Sequence, residues 1–112
     1  MNEPKYMYFV EYYCPEQEKK LFKISKEAEF KKHGTKLDRR TFLEVDGYYD
    51  SFVYSPDYKN EKDACNFAKA KSKETGDFAH VKAGWYEYKY GEWELEELDE
   101  NYFRQFNVGR EI

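Results

Sequence analysis

The sequence predicts an α+β fold: an antiparallel β-sheet built from hairpins, with two or three short helices packed on it, in a single domain over residues 1–112. Three observations carry this. Runs dense in aromatic and β-branched residues flank two turn dipeptides, Asp46-Gly47 and Tyr90-Gly91. Residues 60–76 carry a helix cap at one end and a glycine stop at the other. No Pro/Gly-rich linker or low-complexity run divides the chain, and 112 residues is the length of one ordinary domain.

The elements follow in order. "KYMYFVEYYC" reads as a strand, with Tyr6, Tyr8, Val10 and Tyr12 on one face and Met7, Phe9, Glu11 and Tyr13 on the other. "PEQEKK" reads as a turn and "LFKI" as a short returning strand. A short helix is expected over "SKEAEFKKHG", capped by Ser25 and stopped at Gly34. "TFLEVDGYYDSFVYS" reads as a hairpin about Asp46-Gly47, with a bulged loop because a two-residue turn leaves neither face cleanly apolar. "NEKDACNFAKAKSKETG" is a helix capped by Asn60, whose inner stripe is Ala64, Phe67, Ala68 and the stem of Lys71.

"GWYEYKYGEWELEEL" reads as a hairpin turning at Tyr90-Gly91. That register pairs Tyr88 with Trp93 and Tyr86 with Leu95 on an apolar face. The other face then sets Lys89 opposite Glu92, Glu87 opposite Glu94 and Trp85 opposite Glu96. Directly opposed like charges cost tenths of a kcal/mol up to about 1, so this face must meet water or a cationic partner. "DENYFRQF" is expected to form a helix capped by Asp99, and "NVGREI" a frayed tail. The order is β-β-α-β-β-α-β-β-α. A short helix twice precedes a ribbon, which hints at a duplication of about 1–56 and 57–112.

Composition bounds function. Phe, Tyr and Trp number 23 against 12 Val, Ile and Leu, so rings must supply most of the core. Twelve tyrosines cannot all be buried, because each buried hydroxyl needs a partner. Residues 1–40 hold ten basic and seven acidic residues, whereas residues 85–112 hold three and eight. The net charge of −4 argues against duplex binding, which draws its affinity from Lys and Arg on phosphates. The N-terminus lacks the pattern of a signal peptide and no run is long enough to span a bilayer, so a cytoplasmic protein with no membrane partner is expected. Cys14 and Cys65 have no metal-type spacing and read as reduced thiols.

The chain carries no phosphate-loop, dinucleotide, metalloprotease or nucleophile-elbow motif. His33 and His80 stand alone, and nothing in the sequence joins Cys65 to His80 as a nucleophile and base. A solvated acidic run does not shift a carboxyl pKa as general acid/base chemistry requires. No enzyme, metal or cofactor is therefore expected. The expected function is a small acidic protein-binding domain, a stoichiometric inhibitor or adaptor of the kind that phages and other mobile elements encode. Its partner is a protein with a basic surface, such as a nucleic-acid-binding enzyme, met by Trp85, Glu87, Glu92, Glu94, Glu96 and Glu97, with carboxylates imitating phosphates. The alternative is a single-stranded nucleic-acid binder that stacks bases on exposed aromatics and meets phosphates through the basic N-terminal third, above all Lys31, Lys32, Arg39 and Arg40. An edge strand could also recruit a partner or a second copy.

Overall fold

The computed structural model describes residues 3–108. Its elements are strand β1 (Lys5–Tyr13), helix α1 (Pro15–His33), helix α2 (Arg39–Phe42), a π-helical turn (Leu43–Gly47), helix α3 (Tyr48–Asp50), strand β2 (Phe52–Tyr54), helix α4 (Glu61–Thr75) and strands β3 (Ala79–Lys89), β4 (Glu92–Leu98) and β5 (Arg104–Phe106). The α+β class holds. The sheet runs β2-β1-β3-β4, with β5 also on β3, and the pairings of β3 with β1, β4 and β5 are all antiparallel. The chain divides into two compact units, Met1–Tyr12 with Tyr54–Ile112, and Tyr13–Val53.

In the first unit, β1 and β3 pair from Lys5 beside Tyr86 to Tyr12 beside Ala79, which fixes the two faces of the sheet. One face buries Val10, Ala79 and Val81 against Ala64, Cys65 and Ala68 of α4. Ala64 and Ala68 of α4 are fully buried, so helix and sheet approach closely. The expected helix stripe is observed, with Tyr12 and Phe67 in edge contact and the Lys71 ammonium over both rings. Asn60 caps α4 by accepting the Asp63 N–H at 2.9 Å, and Gly76, at φ 72°, ends it. The opposite face gathers Met7, Phe9 and Tyr86, with Trp93 against them.

The outer edge of β1 is satisfied by residues 55–58. Tyr8 and Tyr58 exchange both backbone hydrogen bonds, at 2.8 and 2.7 Å, and Ser55 N–H donates to the Val10 carbonyl. The Ser55 hydroxyl accepts the Val10 N–H at 2.8 Å.

The second unit departs most from the expectations. The segments read as a turn, a short strand and a helix starting at Ser25 are one 19-residue helix, α1. Its signals lie at the outer ends: Pro15 at the first turn, Glu16 and Glu18 beside it, Lys31, Lys32 and His33 in the last turn, and Gly34 at φ 67°. Glu18 is buried, and its carboxylate takes a 2.5 Å hydrogen bond from Arg39. Burial, then the hydrogen bond to Glu18, push the Tyr13 hydroxyl up to about 12.

The hairpin expected about Asp46-Gly47 is also absent: residues 39–50 are helical, with Asp38 accepting the Thr41 N–H at 2.8 Å. Gly47 has φ −61°, so it serves no left-handed turn. It serves space instead. A Cβ there would lie 2.3 Å from Cε2 of Phe42, whose ring stacks edge-on with Phe22. Of the three expected hairpins, only that of residues 79–98 forms.

The helix expected over 99–106 gives way to a single turn followed by β5. Asp99 does cap that turn, accepting the Asn101 N–H on its carboxylate and the Tyr102 N–H on its carbonyl. β4 covers β3 only from Gly84 to Lys89, so the stretch Ala79–Val81 has a free edge, which Arg104–Phe106 fills. Of the expected tail, residues 109–112 lie outside the described residues, while Val108 donates its N–H to Ser72 Oγ at 2.8 Å.

Replacing Gly by Ala inside a helix ordinarily stabilises by about 0.5–1 kcal/mol. At Gly47 the Phe42 ring reverses the sign. We expect Gly47→Ala to lose about 1–3 kcal/mol in urea denaturation, as overpacking does; a stabilised variant would contradict this packing.

Candidate functional site

The site is built on the β3–β4 hairpin. Tyr90 and Gly91 have φ 53° and 86°, the two positive values of a type I′ turn, whose twist matches that of paired strands. The observed pairs are Lys89 with Glu92, Tyr88 with Trp93, Glu87 with Glu94 and Tyr86 with Leu95, as the sequence predicts. Beyond Leu95 the register shifts. Trp85 pairs with Glu97, not Glu96, and Gly84 with Leu98.

This β-bulge sorts the side chains. Strict alternation would carry Glu97 to the apolar face and Leu98 to the acidic one. One extra residue restores the alternation: Glu96 and Glu97 line one depression with Trp85, Asp99 and Glu100, Leu95 lines a cleft on the other face, and Leu98 borders both. The signal was in the sequence as "LEEL", two leucines three apart where alternation demands two or four. Gly84 permits the crossing, since a Cβ there would lie 2.4 Å from the Glu97 carbonyl oxygen.

The acidic face therefore holds all six residues expected for partner binding. Lys89 is the only cation on this stretch of strand; it is bonded to Glu96, and its Nζ lies 3.7 Å from Glu87. The hydrogen bond to Glu96 first, then the charges of Glu96, Glu87 and Glu94, raise its pKa. Among the described residues, Glu92, Glu94 and Glu97 make no ion pair. Trp85 is 41% exposed and meets the Tyr6 ring edge-on at 5.4 Å. The Tyr6 hydroxyl donates to Asp99 at 2.6 Å, tying β1 to the end of β4.

The reverse face is less covered than a core. Tyr88 is 46% exposed and lies edge-on to Trp93, over which the Lys5 ammonium sits at 4.7 Å. The cleft, about 390 Å³, is lined by Phe9, Tyr54, Tyr86, Leu95 and Leu98, with Asp57 accepting the Tyr86 hydroxyl at 2.7 Å. Composition alone gave no sign of this cleft, because it forms where residues 54–57 fold beside β1 and β3. On the same face, His80 reaches Glu11 through Nδ1 at 3.3 Å and Gln105 through Nε2 at 3.2 Å. Cys65 lies in the α4 layer on the other side of the sheet, so the sheet separates it from His80.

The alternative basic residues lie in the second unit. Lys31 and Lys32 are exposed in the last turn of α1. Arg39 is committed to Glu18 and Arg40 to Glu44 at 3.0 Å, so half of that set already has a carboxylate partner. Among the described residues, no group of His, Cys, Asp and Glu could hold a metal ion, and no helix is long and apolar enough to cross a membrane. Comparison with protein-family models, curated proteins and solved structures found no match.

Burial first, and then Asp99, push the Tyr6 hydroxyl from 10.0 up to about 12. A raised folded-state value means this contribution is complete below pH 10 and is lost as pH rises toward 12. Thermal melts across that window should show Tyr6→Phe less stable than wild type at pH 9, with the gap narrowing toward pH 12. Parallel profiles would contradict the assignment.

Proposed function

We propose that this chain is a small non-enzymatic protein-binding domain, a stoichiometric inhibitor or adaptor, which lays the acidic face of its terminal hairpin on a basic surface of another protein. The observation that carries this reading is the bulge. It adds Glu97 to Glu92, Glu94, Glu96, Glu87 and Trp85, which alternation already sets on one side, with Lys89 the one cation on this stretch of strand. Opposed glutamates weaken the hairpin, and a cationic surface would relieve them. Trp85 supplies the aromatic anchor that charge alone lacks, since interface hot spots are enriched in Trp and Tyr.

A protein whose basic groove ordinarily holds nucleic acid fits this chemistry, because carboxylates along a strand can occupy phosphate positions. Complementary charge would act mainly on the association rate, which falls as salt screens it over about 10 Å at 0.1 M.

The test is charge reversal. Glu92→Lys with Glu94→Lys should weaken binding to the partner recovered by affinity capture at least about tenfold, about 1.4 kcal/mol, in calorimetry. Folding stability should stay within about 0.5 kcal/mol, as for other exposed positions. Unchanged affinity would overturn the reading, as would a captured complex that disappears on nuclease treatment.

A further inference from the structure

We infer that β4 is a docking edge that takes an extended segment of the partner by strand addition, and that this segment alternates basic and apolar residues. The inference rests on the protein-binding reading above and specifies its mode.

β4 ends the sheet order, while the outer edge of β1 is closed by residues 55–58. In a two-residue hairpin the pair flanking the turn, here Lys89 and Glu92, is hydrogen-bonded, and bonded and non-bonded pairs then alternate. Glu87 with Glu94 is the next bonded pair. The N–H and C=O groups of Trp93 and Leu95 consequently point away from β3. They offer a four-atom template to an incoming strand.

Side chains opposite one another across a ladder share a face. Residues of the incoming strand that lie opposite Glu92 and Glu94 face the acidic strip. Those opposite Trp93 and Leu95 face the aromatic side, beside the cleft lined by Phe9, Tyr86 and Leu98. The first set must be cationic and the second apolar. A second copy of β4 fails this requirement, because it would oppose glutamate with glutamate. The edge thus repels its own kind while matching a basic amphipathic strand. The bulge after Leu95 ends the regular ladder, so the docked segment is short.

The probe is a blocked heptapeptide alternating lysine and valine, compared with a peptide of four lysines followed by three valines and with the alternating peptide N-methylated at its valines. The readout is amide hydrogen exchange and chemical shift on the full chain. At saturation, the alternating peptide should slow exchange of the Trp93 and Leu95 amides at least about tenfold, and the other two should not. If all three peptides bind with Glu94-dependent shifts and none protects those amides, strand addition is overturned and the acidic-surface reading stands. If none binds, both fall.

Discussion

In the ladder between β1 and β3, Lys5 lies beside Tyr86 and Tyr12 beside Ala79, and every later contact in the first unit depends on that register. Side chains alternate with a period of two, so a slip of one residue would exchange the two faces. With the observed register, Val10, Ala79, Val81 and Ala83 form a small-residue surface on which Ala64 and Ala68 of α4 seat closely. The rings fall around and behind that surface: Tyr8, Tyr12, Tyr58, Phe67 and Tyr102 at its margin, Phe9, Tyr86 and Trp93 on the reverse. Edge-to-face pairs of this kind add about 0.5–1.5 kcal/mol each beyond area burial. That is how a chain with few aliphatic residues builds a core. Buried hydroxyls are satisfied by carboxylates, Tyr86 by Asp57 and Tyr102 by Glu61 at 2.6 Å.

β3 outruns each of its partners, and the surplus organises the rest. Near Ala79 its second edge is filled by β5; near Lys89 it turns back as β4. The bulge at Glu96–Glu97 reconciles a strand whose sequence breaks alternation with a sheet that demands it. The result is a hairpin with two unlike faces, carboxylates around Trp85 on one and an aromatic cleft on the other. A hairpin optimised only for stability would not set Glu87 opposite Glu94; Lys89, bonded to Glu96 and 3.7 Å from Glu87, offsets part of that repulsion.

Elements with signals at close range were legible in the sequence: the two faces of β1, α4 with its Asn60 cap and Gly76 stop, and the hairpin register as far as Leu95. The errors share a cause. Gly47 looked like a turn glycine, but it is needed for the space beside Phe42, which only the packed structure reveals. In α1 the aromatic and β-branched content of "LFKI" outweighed Pro15, Glu16 and Glu18, the true helix-start signals ten residues before Ser25. β5 could not be read at all, because its pairing is decided by an edge of β3 that β4 leaves open. For the candidate site, all six expected residues fall on one hairpin face, but the bulge that unites Glu96 with Glu97 went unread despite the "LEEL" spacing.

The sorting of the two faces is tested most directly by the cross-strand proton contacts of the hairpin in solution. Nuclear Overhauser effects should link Tyr88 to Trp93 and Tyr86 to Leu95, then Trp85 to Glu97 and Gly84 to Leu98. An uninterrupted ladder linking Trp85 to Glu96 and Gly84 to Glu97 would contradict it, for it would turn Glu97 onto the aromatic face and Leu98 onto the acidic one.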